Sequence, residues 1–353
     1  MKNENKALTG LRGFLALSVV IFHIYGSSVE EGYIPEADNF IYLLNYAGPI
    51  AVNLFFVISG FLITGSLIAK GSIRQFMKNR FLRIYPVFIT IHTFIFAVGP
   101  FIGYKWMAGI SPQDYVIHFV SNALMLPGIF NLPIAQIVAW SLSYELAFYV
   151  IAAVIWIVVR SPKLPQILKY VMYALILALC GVLVYYRRDM LFFAVGVALY
   201  FWRNCFPRTA EKQRPIYYLN GVIFLVAMFL AYYAMDTPII AGLPLAFLLL
   251  IGILTEYGLL SRILRTRVMH YLGRISFSLY MWHTMVMFPL KIIVPRVSSI
   301  IGTSAYSFVI YALLSLVLSL IVSDLSYRII ERWFTDRIRK TKKAAPLSEK
   351  TAM

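Results

Sequence analysis

The chain has 353 residues, 61% hydrophobic and only 13% charged, a balance that soluble domains, with about a quarter of their residues charged, rarely approach. It reads as a multi-spanning membrane protein. A net charge of +17 would point to a polyanion partner in a soluble protein, but here positive-inside loops account for it first, and no nucleic-acid partner is expected.

Apolar runs of about 20 residues, enough to cross a bilayer, centre on 8–28, 45–69, 84–104, 131–159, 168–186, 217–235, 239–258, 275–293 and 304–327, with a shorter run at 190–202. The expected fold is therefore all-α: a polytopic membrane helical bundle of about ten transmembrane helices, with the N- and C-termini inside. That arrangement leaves only Lys105, Arg187, Arg188, Lys291 and Arg296 of the 32 basic residues on the outer side. The first run fills a whole span and no small-residue cleavage site follows it, so it is expected to stay as a helix. The outer loop after it is acidic, with Glu30, Glu31, Glu36 and Asp38. Residues 105–130 form a second outer connection with room for a short interfacial helix. Residues 1–333 read as one membrane-embedded domain, and 334–353 as a basic cytoplasmic tail on anionic lipid.

Polar residues at membrane depth are costly and mark the search for a site. Arg12 and His23 are eleven residues apart, three helical turns plus about 20°, so they share a face roughly 16 Å apart. Arg12 is either a topology charge or a ligand group, and His23 either a bonded core histidine or a functional one. In the second run Ser59-Gly60 lets a helix or a ligand approach the backbone, and small residues at helix contacts are the commoner reason. Arg80 and Arg83, three apart before Pro86, suit a phosphate or diphosphate, although a positive-inside loop also explains the charge. In the fourth run Trp140-Ser-Leu-Ser-Tyr-Glu145 is a polar cluster. Counting about 1.5 Å per residue puts Glu145 at the height of His23, so the carboxylate is expected to meet the imidazole, either as a structural ion pair or to raise its basicity. Ser276, Tyr280 and His283 form one inward stripe at i, i+4, i+7, a hydrogen-bond ladder or a substrate wall. His92 and His118 look incidental, and Asp324 with Arg328 reads as an i, i+4 pair. Cys180 and Cys205 form no disulfide framework or zinc pattern, and no metal-ligand motif, phosphate loop or nucleophile elbow occurs.

In this order, the pattern resembles the integral-membrane acyltransferase family 3. Arg12 to His23 is similar to its Arg-x10-His signature, residues 55–62 to its second-span motif, and Arg80-Phe-Leu-Arg83-Ile-Tyr-Pro86 to its Arg-x-x-Arg element. Trp140 to Glu145, residues 273–283 and Tyr327-Arg328-Ile-Ile-Glu331 extend the likeness. Trp333 departs from the proline the family commonly has there, which affects the end of the last helix, and the extra hydrolase-like domain of some members is not expected here.

The resemblance implies an O-acyltransferase of the bacterial plasma (inner) membrane that moves an acyl group, typically acetyl, from acyl-CoA to a hydroxyl of a cell-surface or lipid-linked saccharide. Arg12, Arg80 and Arg83 would hold the coenzyme A phosphates and arm. His23, held by Glu145, would act as general base, with an acyl-histidine intermediate equally allowed. Ser59, Tyr280 or an amide near Gly60 would stabilise the oxyanion. No metal is expected. The alternative from another class is a secondary transporter of a polar or anionic small molecule, although the paired, interrupted halves common in transporters are not evident. A non-catalytic lipid-binding protein would leave His23 and Glu145 unexplained.

Overall fold

The computed structural model describes residues 5–205, 218–300 and 306–334, so most of the basic segment 203–214 and the tail from 335 onward lie outside the described residues. Asn5 starts the first helix by accepting the Leu8 N–H at 2.8 Å, a side-chain cap that satisfies one of the orphan donors of a helix start. Helix α1 (Lys6–Glu30) is followed by α2 (Leu44–Lys70). Gly71 ends α2 at φ +64°, a left-handed conformation that glycine takes without steric cost. Ser72 then caps α3 (Ile73–Ile102) through the Gln75 N–H.

This tight turn changes one expectation. The third helix begins eleven residues before its apolar run, so Arg74, Arg80 and Arg83 lie on a helix and not in a loop. The capped start and the good helix formers after it carry α3 through its polar first turns. Pro86 is inside α3 rather than at its start, and Thr90 Oγ1 donates to the Pro86 carbonyl at 2.8 Å.

The connection after α3 contains α4 (Pro112–Ala123), capped by Ser111 with Pro112 at its first position, and the single turn α5 (Pro127–Phe130). The fourth apolar run then differs from expectation at its start. Residues 131–136 are not helical: Asn131 is left-handed at φ +54°, and the Asn122 side chain bonds the Pro133 carbonyl and the Ala135 N–H. Helix α6 (Trp140–Arg160) begins after them.

The rest of the chain forms α7 (Gln166–Tyr186), α8 (Leu191–Cys205), α9 (Asn220–Ala234), α10 (Pro238–Leu254), α11 (Gly258–Leu264), α12 (Arg267–Ile300) and α13 (Ser307–Ser326). A π-helical turn, Tyr327–Arg332, closes it. No strand occurs among the described residues. Every apolar run contains a helix among its described residues. Seven of the described helices are long and apolar enough to cross a membrane, and α10 with α11, bent by 67°, makes an eighth. Helices α8 and α9 have 15 residues each. The chain is a multi-pass integral membrane protein.

Lipid is as apolar as a leucine side chain, so close backbone approach, and not burial from water, decides which helices pair. Two glycine seams do so here. A Cβ on Gly273 would fall 2.0 Å from the Thr9 carbonyl oxygen, which welds α12 to α1. A Cβ on Gly60 would fall 2.3 Å from the Phe193 oxygen, and one on Gly196 2.1 Å from the Val57 oxygen, which welds α2 to α8. Helix α7 buries no residue and lies at the periphery. Helices α1, α2, α3, α6 and α12 are left around a polar interior.

Candidate active site

Two of the interior cavities share Tyr280 as a lining residue. The first lies toward the start of α1 and is lined by Arg12, Ser59, Arg80, Arg83, Ser141, Glu145, Ser276 and Tyr280 among apolar residues. Arg12 Nη2 donates to Ser276 Oγ at 3.1 Å, and Ser276 Oγ donates to the Gly273 carbonyl at 2.9 Å. The Arg80 guanidinium packs over the rings of Phe76 and Tyr149, at 5.6 and 5.8 Å. Its Nε is buried without a hydrogen-bond acceptor. Glu145 accepts from Ser59 Oγ at 3.1 Å and from the Tyr149 hydroxyl. An unsatisfied arginine donor in a cavity with two further guanidinium groups is the chemistry of an anion site, because planar donor forks match phosphate oxygens.

Two more cavities lie toward the end of α1, and His23 lines both. The larger, of about 340 Å³, also holds Asn53, Trp140, Asp189 and Tyr280. The other is walled by Glu30, Lys105, Thr284 and Lys291. The His23 ring lies with its centroid 5.1 Å from that of His283 and touches Phe22 edge-on. His283 is fully buried; its Nδ1 meets the Leu279 carbonyl at 3.0 Å and its Nε2 has no partner. Tyr280 and Val52 line both the arginine cavity and the 340 Å³ cavity and so stand between them. The Tyr280 hydroxyl lies 2.7 Å from Ser141 Oγ and donates to the Val138 carbonyl at 3.2 Å.

The stripe therefore faces the interior as expected: Ser276 and Tyr280 line the arginine cavity, Tyr280 also lines the 340 Å³ cavity, and His283 is buried beside His23. The expected contact between His23 and Glu145 is not made. Glu145 sits in the second turn of α6 and is engaged by Ser59 and Tyr149, while Tyr280 and Val52 of the two flanking helices separate its cavity from that of His23. Equal heights along two helices did not imply facing sides. Gly60 is also corrected as an oxyanion candidate: it faces Gly196 of α8, and a mid-helix amide is already used by the helix. Ser59 points its hydroxyl at Glu145.

A family model described as an acyltransferase domain matches residues 5–328. The chain belongs to acyltransferase family 3. Among the proteins it is similar to, the peptidoglycan O-acetyltransferase OatA of Listeria monocytogenes is 25% identical over 367 residues, covering 92% of this chain and 55% of that protein. Acyltransferase MdmB of Streptomyces mycarofaciens is 33% identical over 152 residues, 40% of this chain and 37% of its own. An O-acetyl transferase of Shigella phage Sf6 is 26% identical, over 91% of this chain and 93% of its own. The chain thus spans about half the length of the Listeria relative, and its match to MdmB covers still less. No solved structure matches. The family is one of acyltransferases, which favours an enzyme over the transporter alternative.

Two groups of this family 3 acyltransferase gave no role in the sequence. Glu331, on the π-helical turn, accepts from Ser278 Oγ and lies within charge reach of Arg83 and Arg12. Its signal was the motif it closes, since π-turns often mark functional sites. Asp189, in a short turn at Arg188–Met190, reaches the 340 Å³ cavity beside His23; two arginines before it masked it as loop charge. On the acidic loop, Lys291 pairs with Glu30 at 2.6 Å and Glu31 at 3.4 Å, so its single charge is shared by two carboxylates of that cluster. His92 packs among Phe88, Phe96 and Phe119, and His118 against Trp106, away from the cavities. Asp324 and Arg328 pair at 2.7 Å. Among the described residues no group of three His, Cys, Asp or Glu could hold a metal ion.

Proposed function

We propose that this acyltransferase is an O-acetyltransferase of the plasma membrane that takes acetyl from cytoplasmic acyl-CoA and delivers it to a hydroxyl of a saccharide on the outer side. The observation that carries this reading is the pair of cavities that share Tyr280, one lined by arginines and one by His23. The charge asymmetry of the loops supports an inside N-terminus, which turns the arginine cavity to the cytoplasm. Arg80 and Arg83 hold the phosphates of coenzyme A there, Arg12 guides its arm, and the thioester extends past Tyr280 toward His23.

In the transfer, the His23 imidazole takes the proton of the acceptor hydroxyl while the acceptor oxygen bonds to the thioester carbonyl carbon. The Tyr280 hydroxyl turns its one proton from the Val138 carbonyl to the cavity and donates it to the oxyanion. The intermediate then collapses with cleavage of the carbon–sulfur bond, and the coenzyme A thiolate leaves and takes the proton from the imidazolium. Glu145 contributes on the donor side, as the acceptor for Ser59 and Tyr149 and the counter-charge near Arg80. The names of the Listeria and phage relatives support acetyl as the group moved, and that of the Listeria protein supports a saccharide acceptor.

The test is transfer of labelled acetyl from acetyl-CoA to surface glycan by membranes carrying the wild type or His23→Ala. Transfer by the wild type and its loss in the variant is the expected result. Normal transfer by His23→Ala ends the assignment of the base, and uptake of free solute without acetyl transfer by the wild type would restore the transporter.

A further inference from the structure

Asp189, Asn53 and Tyr232 come from three separate parts of the chain and form one polar group. Asn53 Nδ2 donates to the Tyr232 hydroxyl at 2.6 Å, and the Asp189 carboxylate lies within hydrogen-bond reach of the same amide. Asn53 is buried and Asp189 half-buried. Asp189 and Asn53 line the 340 Å³ cavity with His23, Phe22, Trp140 and Tyr280. A carboxylate met by one side-chain amide and its own backbone N–H keeps about half of its acceptor capacity, since a carboxylate has about four lone-pair sites. It is turned to a cavity, not to a cation: no ion pair involving Asp189 is formed among the described residues.

The cavity is of small-ligand size, given that such pockets run from about 300 to 1,000 Å³. Its wall offers a carboxylate and an amide for neighbouring hydroxyls and an indole for an apolar ring face. A lone alcohol would leave the carboxylate with its capacity unused, and an anionic ligand would be repelled by it. We infer that Asp189 and Asn53 form the acceptor subsite and recognise a neutral ring bearing adjacent hydroxyls, one hydroxyl directed to His23 and its neighbour bound by the Asp189 carboxylate. This rests on the O-acetyltransferase reading and narrows its acceptor: an uncharged sugar ring with a free vicinal diol.

The experiment is direct binding to the full chain in lipid nanodiscs without acyl donor, followed by tryptophan fluorescence or calorimetry. The probes are cis-cyclohexane-1,2-diol and cyclohexanol, which differ by one hydroxyl on the same ring, and a neutral methyl hexoside. The wild type is expected to bind the diol and the hexoside at least about tenfold more tightly than cyclohexanol, the scale of one hydrogen bond to a charged group. Asp189→Asn and Asp189→Ala should remove that preference while cyclohexanol binds all three proteins alike. Equal binding of diol and cyclohexanol by the wild type, or an undiminished preference in both variants, overturns the subsite. A parallel loss for cyclohexanol does so too, since it marks a purely structural role. Binding is read without chemistry, so failure of acetyl transfer would sink the function and leave this result to stand or fall separately.

Discussion

His23 of α1 and His283 of α12 hold their rings 5.1 Å apart and tilted by 41° to one another, with His283 fully buried and its Nε2 without a partner. In place of Glu145, the residue beside the proposed base is a second imidazole. His283→Phe keeps the ring volume and the packing against His23 but removes both nitrogens. Acetyl transfer by this variant is expected to fall at least about tenfold in kcat with donor affinity intact. A changed donor KM with unchanged kcat would place His283 on the donor side instead.

Arg80 stacks on two aromatic rings and leaves one donor unsatisfied, so it should not tolerate its usual conservative replacement. Lysine keeps the charge but loses the planar fork and the stacking. Arg80→Lys is expected to weaken coenzyme A binding by about tenfold or more, measured by calorimetry on the purified protein, and Arg80→Ala by more still. Full affinity in the lysine variant would mean that only charge is needed.

Glu145→Gln separates the two roles that Glu145 can have. Glutamine retains an acceptor for Ser59 and Tyr149 but no charge beside Arg80. A donor-side role predicts a raised donor KM and unchanged acceptor binding, whereas a residue orienting His23 would lower kcat at constant donor affinity.

The seam between α1 and α12 sets the alignment of Arg12 with Ser276 and of His23 with His283. Gly273→Ala pushes a methyl group to 2.0 Å from the Thr9 oxygen and should cost about 1–3 kcal/mol or more, read as a lower unfolding temperature in detergent. Gly181→Ala on α7, where nothing lies within 4 Å, is the matched control and should be neutral.

Burial pushes the Asp189 carboxyl above its ordinary range, against a smaller lowering by Asn53. The ionised form is then disfavoured by folding: the penalty is complete above the raised folded pKa and vanishes as pH falls to the ordinary carboxylate range. Asp189→Asn is therefore expected to unfold at a higher temperature than the wild type at neutral pH, with the gap closing on acidification. An acidic residue that costs stability where it stands fits a binding role.

Much of this was legible in the chain. Arg12 to His23, Arg80 to Arg83 and Ser276 to His283 sit on helices whose periodicity fixes which side chains share a face, and the structure turns all of them inward. What periodicity does not carry is the rotation of one helix against another. His23 and Glu145 were matched by height alone, and the angular placement that parts them depends on seams at Gly60 and Gly273 that say nothing about their partners until the backbones meet. Asp189 was hidden for a different reason: a three-residue turn has no period, and only the fold brings it to α2 and α9.

Tyr280 is buried to 7% exposure and tethered through its hydroxyl to Ser141 and Val138, between cavities that reach toward opposite ends of the bundle. Two hollows aligned through a bilayer would make a leak for protons and ions, and a cell that stores energy as a proton gradient cannot tolerate one. A tethered ring at the waist admits a thin acyl arm and keeps the column of water broken. Under the proposed function, an acetyl group would pass through the membrane without discharging the gradient across it.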